Sequence, residues 1–203
     1  MNSITDSATS MPDVQSSADT RSMPIQRVGV RGVRHPMLVQ AADSALPTVA
    51  QWELTVALPA QEKGTHIALL EQYRTTAMTP ALFCEMAQEM LPLLNAEKGD
   101  ICARFPYFMK KVAPVSEVES LMDYEVTWKA VATGDDVQFY LTVQVPVTSL
   151  CPCSKAISQY GAHNQRSHVT VDVVYDEVGL INVDDIIQRV EQQASCELWG
   201  LLK

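Results

Sequence analysis

The chain has 203 residues, 47% of them apolar and 19% charged, and its 15 Lys and Arg against 24 Asp and Glu give a formal charge of −9. This composition excludes a disordered or collagen-like chain over most of the length, and the length fits one large domain or two small ones. The acidic balance disfavours binding to nucleic acid, and because no run of about 20 apolar residues and no basic-then-apolar leader occurs, we expect a cytoplasmic protein with no membrane partner.

The first half of the chain is predicted to contain two strands and one helix. Residues 1–22 are rich in Ser, Thr and Asp, which predicts a flexible tail. Alternation and helical spacing then predict a strand over 48–59, a helix over 80–95 and a strand over 101–112. Thr79 is a suitable helix N-cap and Gly99 a stop, whereas Pro106 weakens the second strand.

The second half also combines strands with one helix. Its predicted elements are strands over 121–132, 137–147 and 168–175 and a helix over 182–202. A turn at 133–136 carries the Gly and Asp of a tight hairpin. Each half therefore has strands followed by a helix, which favours an α+β fold of two tandem units, 23–117 and 118–203, over a doubly wound parallel sheet.

The five cysteines divide into two groups. An odd number of Cys without an export signal favours reduced thiols over a disulfide framework. Cys84, Cys102 and Cys196 have apolar neighbours and are expected to be small buried hydrophobic residues. Cys151 and Cys153 differ, because they flank a proline in a polar segment.

That polar segment lies between the second and third strands of the second half and is the candidate site. In an extended chain, side chains two residues apart point the same way, so Cys151 and Cys153 are predicted to face one cavity. A turn at Gly161 would return His163 and His168 to the same cavity. Functional residues are concentrated on such loops between rigid strands.

Thiolate and imidazole together are the ligands that suit Zn²⁺ or another borderline divalent metal. A single Cys-x-Cys pair leaves the ligand set incomplete, as in a catalytic site, where the metal lowers the pKa of bound water to about 7. The second thiol could then move protons. The alternative is a redox or buried Cys pair with surface histidines.

The remaining His and Trp residues are assigned no role in this site. His35 and His66 are expected to be exposed, and Trp52, Trp128 and Trp199 to be core or interface anchors. The Gly-rich motifs of dinucleotide-binding and P-loop proteins do not occur in the sequence. Dinucleotide-dependent and P-loop chemistry are therefore disfavoured.

The polar segment resembles the signature of GTP cyclohydrolase IB, the prokaryotic alternative to GTP cyclohydrolase I. The resemblance is carried by SLCPCSK at 149–155 and ISQYGAHNQRSH at 157–168. It extends over nearly the whole chain, through MPDVQSS at 11–17, PIQRVGV at 24–30, FPYF at 105–108 with Lys111, APVS at 113–116, DYEVT at 123–127 and ASCELWGLLK at 194–203.

This resemblance implies a tunnelling fold, with two tandem ββα-type units, antiparallel sheets and helices on one face. It implies a homotetramer with active sites at the subunit interfaces. The implied reaction converts GTP and water to formate and 7,8-dihydroneopterin triphosphate, the first step of folate biosynthesis. Water activated by a divalent metal, Zn, Mn or Fe, would attack C8 of the guanine.

The resemblance also implies roles for individual residues. Cys151 and His163 match the metal ligands, and Cys153 matches the thiol that shuttles protons. The expected substrate contacts are Gln165, Arg166 and His168. They are chosen because a triphosphate needs charge-assisted hydrogen-bond donors.

Two departures from the family pattern are expected to matter. Family members continue beyond the position of Lys203 with an acidic metal ligand, a guanine-anchoring Glu and a catalytic His, so this polypeptide alone is expected to bind metal poorly and to be inactive. They also carry several more residues after His66. Two alternatives stay open: a nitrile-reducing enzyme of the same fold, which would use NADPH, and a non-catalytic metal- or purine-binding interaction module.

Overall fold

The computed structural model describes residues 25–41, 44–58, 67–159, 163–175 and 182–200. The strands are β1 (Ile25–Gln40), β2 (Ala45–Leu58), β3 (Ala77–Met78), β4 (Lys98–Val112), β5 (Glu119–Thr133), β6 (Asp136–Leu150) and β7 (Asn164–Tyr175). The helices are α1 (Ile67–Tyr73), α2 (Pro80–Leu93), α3 (Pro152–Ile157) and α4 (Val183–Gln193). The predicted tail over 1–22 lies outside the described residues.

One seven-stranded sheet, in the order β3-β1-β2-β4-β5-β6-β7, runs through both halves of the chain. All neighbouring strands are antiparallel except β1 and β3. The predicted α+β class with antiparallel pairing is therefore confirmed. The halves join where β4 pairs with β5. The pairing begins with Lys98 opposite Thr133 and ends with Val112 opposite Glu119. The division into units at 23–117 and 118–203 stays a prediction.

The core lies on the face of the sheet that the helices cover. Buried residues of α1, α2 and α4 belong to one hydrophobic cluster with alternate residues of the strands. Phe83 of α2 lies at the centre of an aromatic group, with ring centroids 5.9 Å from Trp52, 5.7 Å from Trp128 and 6.0 Å from Phe139. Trp52 and Trp128 are thus core anchors, as predicted, and Trp199 is half-buried.

The helix starts follow the sequence signals. The Thr79 side chain accepts a hydrogen bond from the Leu82 N–H at 3.1 Å, a cap that contributes about 1 kcal/mol. Asn182 caps α4 by accepting from the Asp184 N–H at 2.9 Å. Among the described residues, no helix is long and apolar enough to cross a membrane.

The predicted helix over 182–202 was wrong in its second half. The helix ends at Gln193, and Cys196 forms an isolated antiparallel bridge with Thr148 of β6. The cause is a tertiary contact. Strand β5 pairs with β6 only as far as Glu125 and Gln144, so the backbone of Thr148 forms its hydrogen bonds with Cys196 instead. Cys196 is also exposed, not buried as expected, whereas Cys84 is buried and Cys102 partly so.

Strand β1 had no counterpart in the sequence prediction. A register shift between Arg31 and Val33 interrupts the alternation, and Gly32 there has a φ of +72°, which favours glycine. His35, expected to be exposed, is half-buried on β1, with Nε2 3.1 Å from Glu71 Oε2. His66 lies outside the described residues.

Candidate metal centre

The candidate site lies where β6 and β7 end at the same edge of the sheet. The two strands pair antiparallel as far as Leu150–Asn164, so the residues just beyond, Cys151 and His163, lie side by side. The Cys151 N–H donates to the His163 carbonyl at 3.4 Å. The structure therefore brings together the two residues that the sequence predicted as metal ligands, whereas the predicted turn at Gly161 lies outside the described residues.

The surroundings of Cys151 favour a thiolate. The pKa of its thiol is lowered to about 7, chiefly by hydrogen bonds from the Ser154 N–H and hydroxyl, then by the Cys153 N–H and the charge of His163. The Ser154 hydroxyl also lies 3.2 Å from the Cys151 carbonyl and accepts from the His163 N–H at 3.2 Å. Because that hydroxyl has one proton, thiolate and carbonyl share it, and the Ser154 N–H is the firmer of the two donors.

The donor set fits a borderline divalent metal. A thiol with a pKa of about 7 beside an imidazole supplies sulfur and nitrogen ligands of the kind that zinc and iron sites use, whereas manganese would also need oxygen ligands. Within the described ranges, no group of three or more His, Cys, Asp or Glu is placed to hold an ion. Cys151 and His163 are therefore a pair without a third such residue beside them in the described part of the chain, and their role as metal ligands stays a prediction.

The geometry around Cys153 corrects the prediction. The extended chain ends at Cys151, which occupies the N-cap position of α3 with φ −80° and ψ 111°, because Pro152 begins that helix. Cys153 lies in the first turn and is exposed. The prediction of an extended chain through both thiols was therefore wrong, and the contact from Cys153 to the Cys151 thiol comes from its backbone N–H.

The strand register separates the three predicted substrate contacts. Gln165 lies opposite Ser149, and the neighbouring pairs place Arg166 opposite Thr148 and His168 opposite Pro146. Because side chains alternate between the faces of a sheet, Gln165 lies on the helix-covered face, and Arg166 and His168 lie on the other. All three are exposed, and their contact with substrate stays a prediction.

Comparisons with known proteins identify the family of this chain. The family model described as type I GTP cyclohydrolase folE2 matches residues 11–203. GTP cyclohydrolase FolE2 of Bordetella petrii is 70% identical over 208 positions, covering 100% of this chain and 78% of that protein. The FolE2 protein of Bordetella pertussis is 68% identical, and the match covers 100% of this chain and 78% of that protein. The FolE2 protein of Paraburkholderia xenovorans is 54% identical, and the match covers 95% of this chain and 73% of that protein.

The chain belongs to the FolE2 family. Its alignment with the Bordetella petrii FolE2 spans 208 positions against 203 residues here, so at least five positions of that relative have no counterpart. The expected shortening after His66 falls at the border of a segment, 59–66, that lies outside the described residues. The family match favours the predicted cyclohydrolase over the nitrile-reducing alternative.

The structure of this FolE2 chain adds residues that the sequence reasoning missed. Ser154 was quoted in the motif without a role, although a Ser two residues after a helix-starting proline is well placed to contact the residue before it. A cavity of about 480 Å³ opens between α4 and the β6–β7 pair. Its described lining includes Arg189, Gln193 and the Ser149–Ser167 hydroxyl pair, 2.9 Å apart, and no carboxylate.

Proposed function

We propose that this FolE2 chain is a GTP cyclohydrolase of the IB type, which converts GTP and water to formate and 7,8-dihydroneopterin triphosphate in the first step of folate biosynthesis. One observation carries the proposal: in a chain of the type I GTP cyclohydrolase family, a thiol with a lowered pKa lies beside a histidine at the end of two paired strands. The cytoplasm, where thiols stay reduced, is the compartment that suits this chemistry.

Cys151 and His163 would hold the divalent metal, whether zinc, manganese or iron. Such a metal supplies Lewis-acid activation of water at neutral pH. Because hydrogen bonds from Ser154 lower the pKa of Cys151 to about 7, roughly half of the thiol is already deprotonated at pH 7, and metal binding would release only the remaining share of that proton. The His163 ring would supply a nitrogen ligand, and its backbone is hydrogen-bonded to Cys151 and Ser154.

Cys153 is the group that we assign to proton transfer. Its thiol is exposed in the first turn of α3, two residues from the metal ligand, and nothing in the described chain requires it for packing. Opening the guanine imidazole ring and releasing formate both move protons to and from substrate atoms. A positioned acid or base contributes about 10²–10⁴-fold to such steps.

Charged side chains and an open sheet edge support the proposed substrate and partner subunits. The triphosphate of GTP needs charge-assisted donors; Arg166 and His168 are the candidates on one face of β7, and Arg189 is the alternative on the helix-covered face. Within the described sheet, β7 pairs with β6 alone, so its outer edge is open. An open edge needs a partner strand or a cover, which supports a homotetramer with interface sites.

The test is GTP-dependent formate release together with GTP binding. It is run on the 203-residue chain and on a version lengthened at the C-terminus with the segment that the sequence resemblance implies. The proposal is supported if formate release is lost in Cys151→Ala, His163→Ala and Cys153→Ala. The control is Cys196→Ala, which removes an exposed thiol outside the site and should keep formate release. GTP binding without formate release in both versions would instead identify a binding module.

A further inference from the structure

A buried lysine lies at the centre of a charge network outside the candidate metal centre. Lys111 of β4 donates to Glu191 Oε2 at 2.5 Å and to Glu197 Oε2 at 2.7 Å, and the Tyr124 hydroxyl donates to Glu191 Oε1 at 2.8 Å. The side chains of Lys111 and Glu191 are 9% and 5% exposed, against 39% for Glu197. A lysine is rarely buried without such partners, because desolvation of the ammonium is costly.

This network fixes the segment that follows α4 to the β4–β5 hairpin. Glu191 lies in the last turn of α4, whereas Glu197 lies beyond the helix, in the segment 194–200. Gly200 at the end of this segment is so close to β5 that a Cβ there would come within 3.2 Å of the Leu121 carbonyl. The segment therefore runs along the beginning of β5, and Lys111 is its charged anchor.

The same segment contacts the end of β6 on its other side. The Thr148 N–H donates to the Cys196 carbonyl at 2.9 Å, and the Cys196 N–H donates to the Thr148 carbonyl at 3.3 Å. The Leu150 N–H donates to Ser195 Oγ at 3.2 Å. Since β5 no longer pairs with β6 at this level, these bonds hold the strand end that leads directly into Cys151.

We propose that Glu197 is a positioning residue for the candidate metal centre. Its ion pair with Lys111 holds residues 195–196 against Thr148 and Leu150, and this contact sets the position of Cys151 relative to His163. The inference rests on the proposed function, in which that pair holds the metal. Glu191 has a different task, because its fully buried bonds to Lys111 and Tyr124 stabilise the packing of α4.

The variant Glu197→Gln separates these two tasks. It keeps the shape of the side chain and removes its charge, while Lys111 and Glu191 remain a balanced buried pair. We therefore expect the melting temperature to fall by less than about 4 °C. Substitution of a residue that orients a metal ligand typically lowers metal affinity by about 10–100-fold. We therefore expect the Co²⁺ dissociation constant of Glu197→Gln to rise at least about tenfold.

The measurement is a Co²⁺ titration followed by the thiolate-to-cobalt charge-transfer absorption, with thermal melting of the metal-free protein. Glu119→Gln is the matched control, because it removes the same charge from an exposed pair with Lys110 on the same hairpin, 3.4 Å long. All variants are made in the version of the protein in which the wild type releases formate. The control is expected to match the wild type in both readouts.

Two results would overturn the positioning role while leaving the proposed function intact. One is a Co²⁺ affinity of Glu197→Gln equal to that of Glu119→Gln. The other is a weaker affinity accompanied by a fall in melting temperature of more than about 10 °C, which would indicate general destabilisation. A wild type that neither binds Co²⁺ through thiolate nor releases formate would overturn the proposed function and this inference with it.

Discussion

The buried Lys111 offers a quantitative test of how the second half of the chain is held together. Replacing it with methionine keeps the length of the side chain but leaves Glu191, 5% exposed, with the Tyr124 hydroxyl as its described partner. Removing one partner of a buried ion pair typically costs about 3–5 kcal/mol, because the other charge stays buried without compensation. Glu197 contributes little to this cost, since it is 39% exposed and can be hydrated.

The expected result is a large loss of stability in the Lys111→Met variant. For a chain of this size, about 2–4 °C per kcal/mol converts the cost to a fall in melting temperature of roughly 6–20 °C. The assay is urea unfolding and thermal melting, with Lys110→Met as the exposed control, for which less than about 1 kcal/mol is expected.

A second substitution identifies the cause of this loss. Adding Glu191→Met to Lys111→Met removes the uncompensated charge, so the double variant should be more stable than Lys111→Met alone, although the Tyr124 hydroxyl then lacks its acceptor. A Lys111→Met protein as stable as the wild type would refute the reasoning. A double variant no more stable than Lys111→Met would refute the assignment of the cost to the buried carboxylate.

Two further predictions concern the candidate site. In metal-free protein, Ser154→Ala removes the hydroxyl donor and keeps the backbone N–H, so it should raise the pKa of Cys151 above about 7 and slow its alkylation by iodoacetamide at pH 7, read by peptide mass spectrometry. Cys84, whose pKa burial raises to about 11, is the unreactive reference, and an unchanged pH profile would show that the Ser154 hydroxyl does not stabilise the thiolate. Arg166→Ala should raise KM for GTP by about 10-fold or more with a smaller change in kcat, as expected for loss of a charge-assisted hydrogen bond to the triphosphate, and an unaltered KM would remove this residue from the substrate site.

The sequence predicted the second half of the sheet best because its alternation is regular. The hairpin at 133–136 joins β5 and β6 as expected, with Thr133 opposite Asp136. Strand β1 was missed because its bulge at Gly32 breaks the pattern, and α4 was predicted too long because the bridge between Thr148 and Cys196 depends on a strand distant in sequence. Local patterns carry no information on such pairings.

The same distinction applies to the site. Cys151 and His163 lay inside the loop predicted between two strands, and their assignment as a ligand pair came from the family resemblance. The observed strands continue to Leu150 and Asn164, and this longer pairing brings the two residues together. The local geometry of Cys153 could not be inferred from alternation, because Pro152 begins a helix. Lys111 is in phase with the inward-facing residues of β4, which is a local indication of burial. Its partners Glu191 and Glu197 lie 80 and 86 residues away, so no local pattern indicates them.

The central claim is that Cys151 and His163 together bind a metal that GTP cyclohydrolysis requires. The most direct measurement is metal content per chain by mass spectrometry for the wild type, Cys151→Ala, His163→Ala and the control Cys196→Ala, in the version that releases formate. The account predicts that the wild type and the control contain metal and release formate. Cys151→Ala and His163→Ala should lose both the metal and formate release. A Cys151→Ala protein with wild-type metal content and wild-type turnover would contradict it.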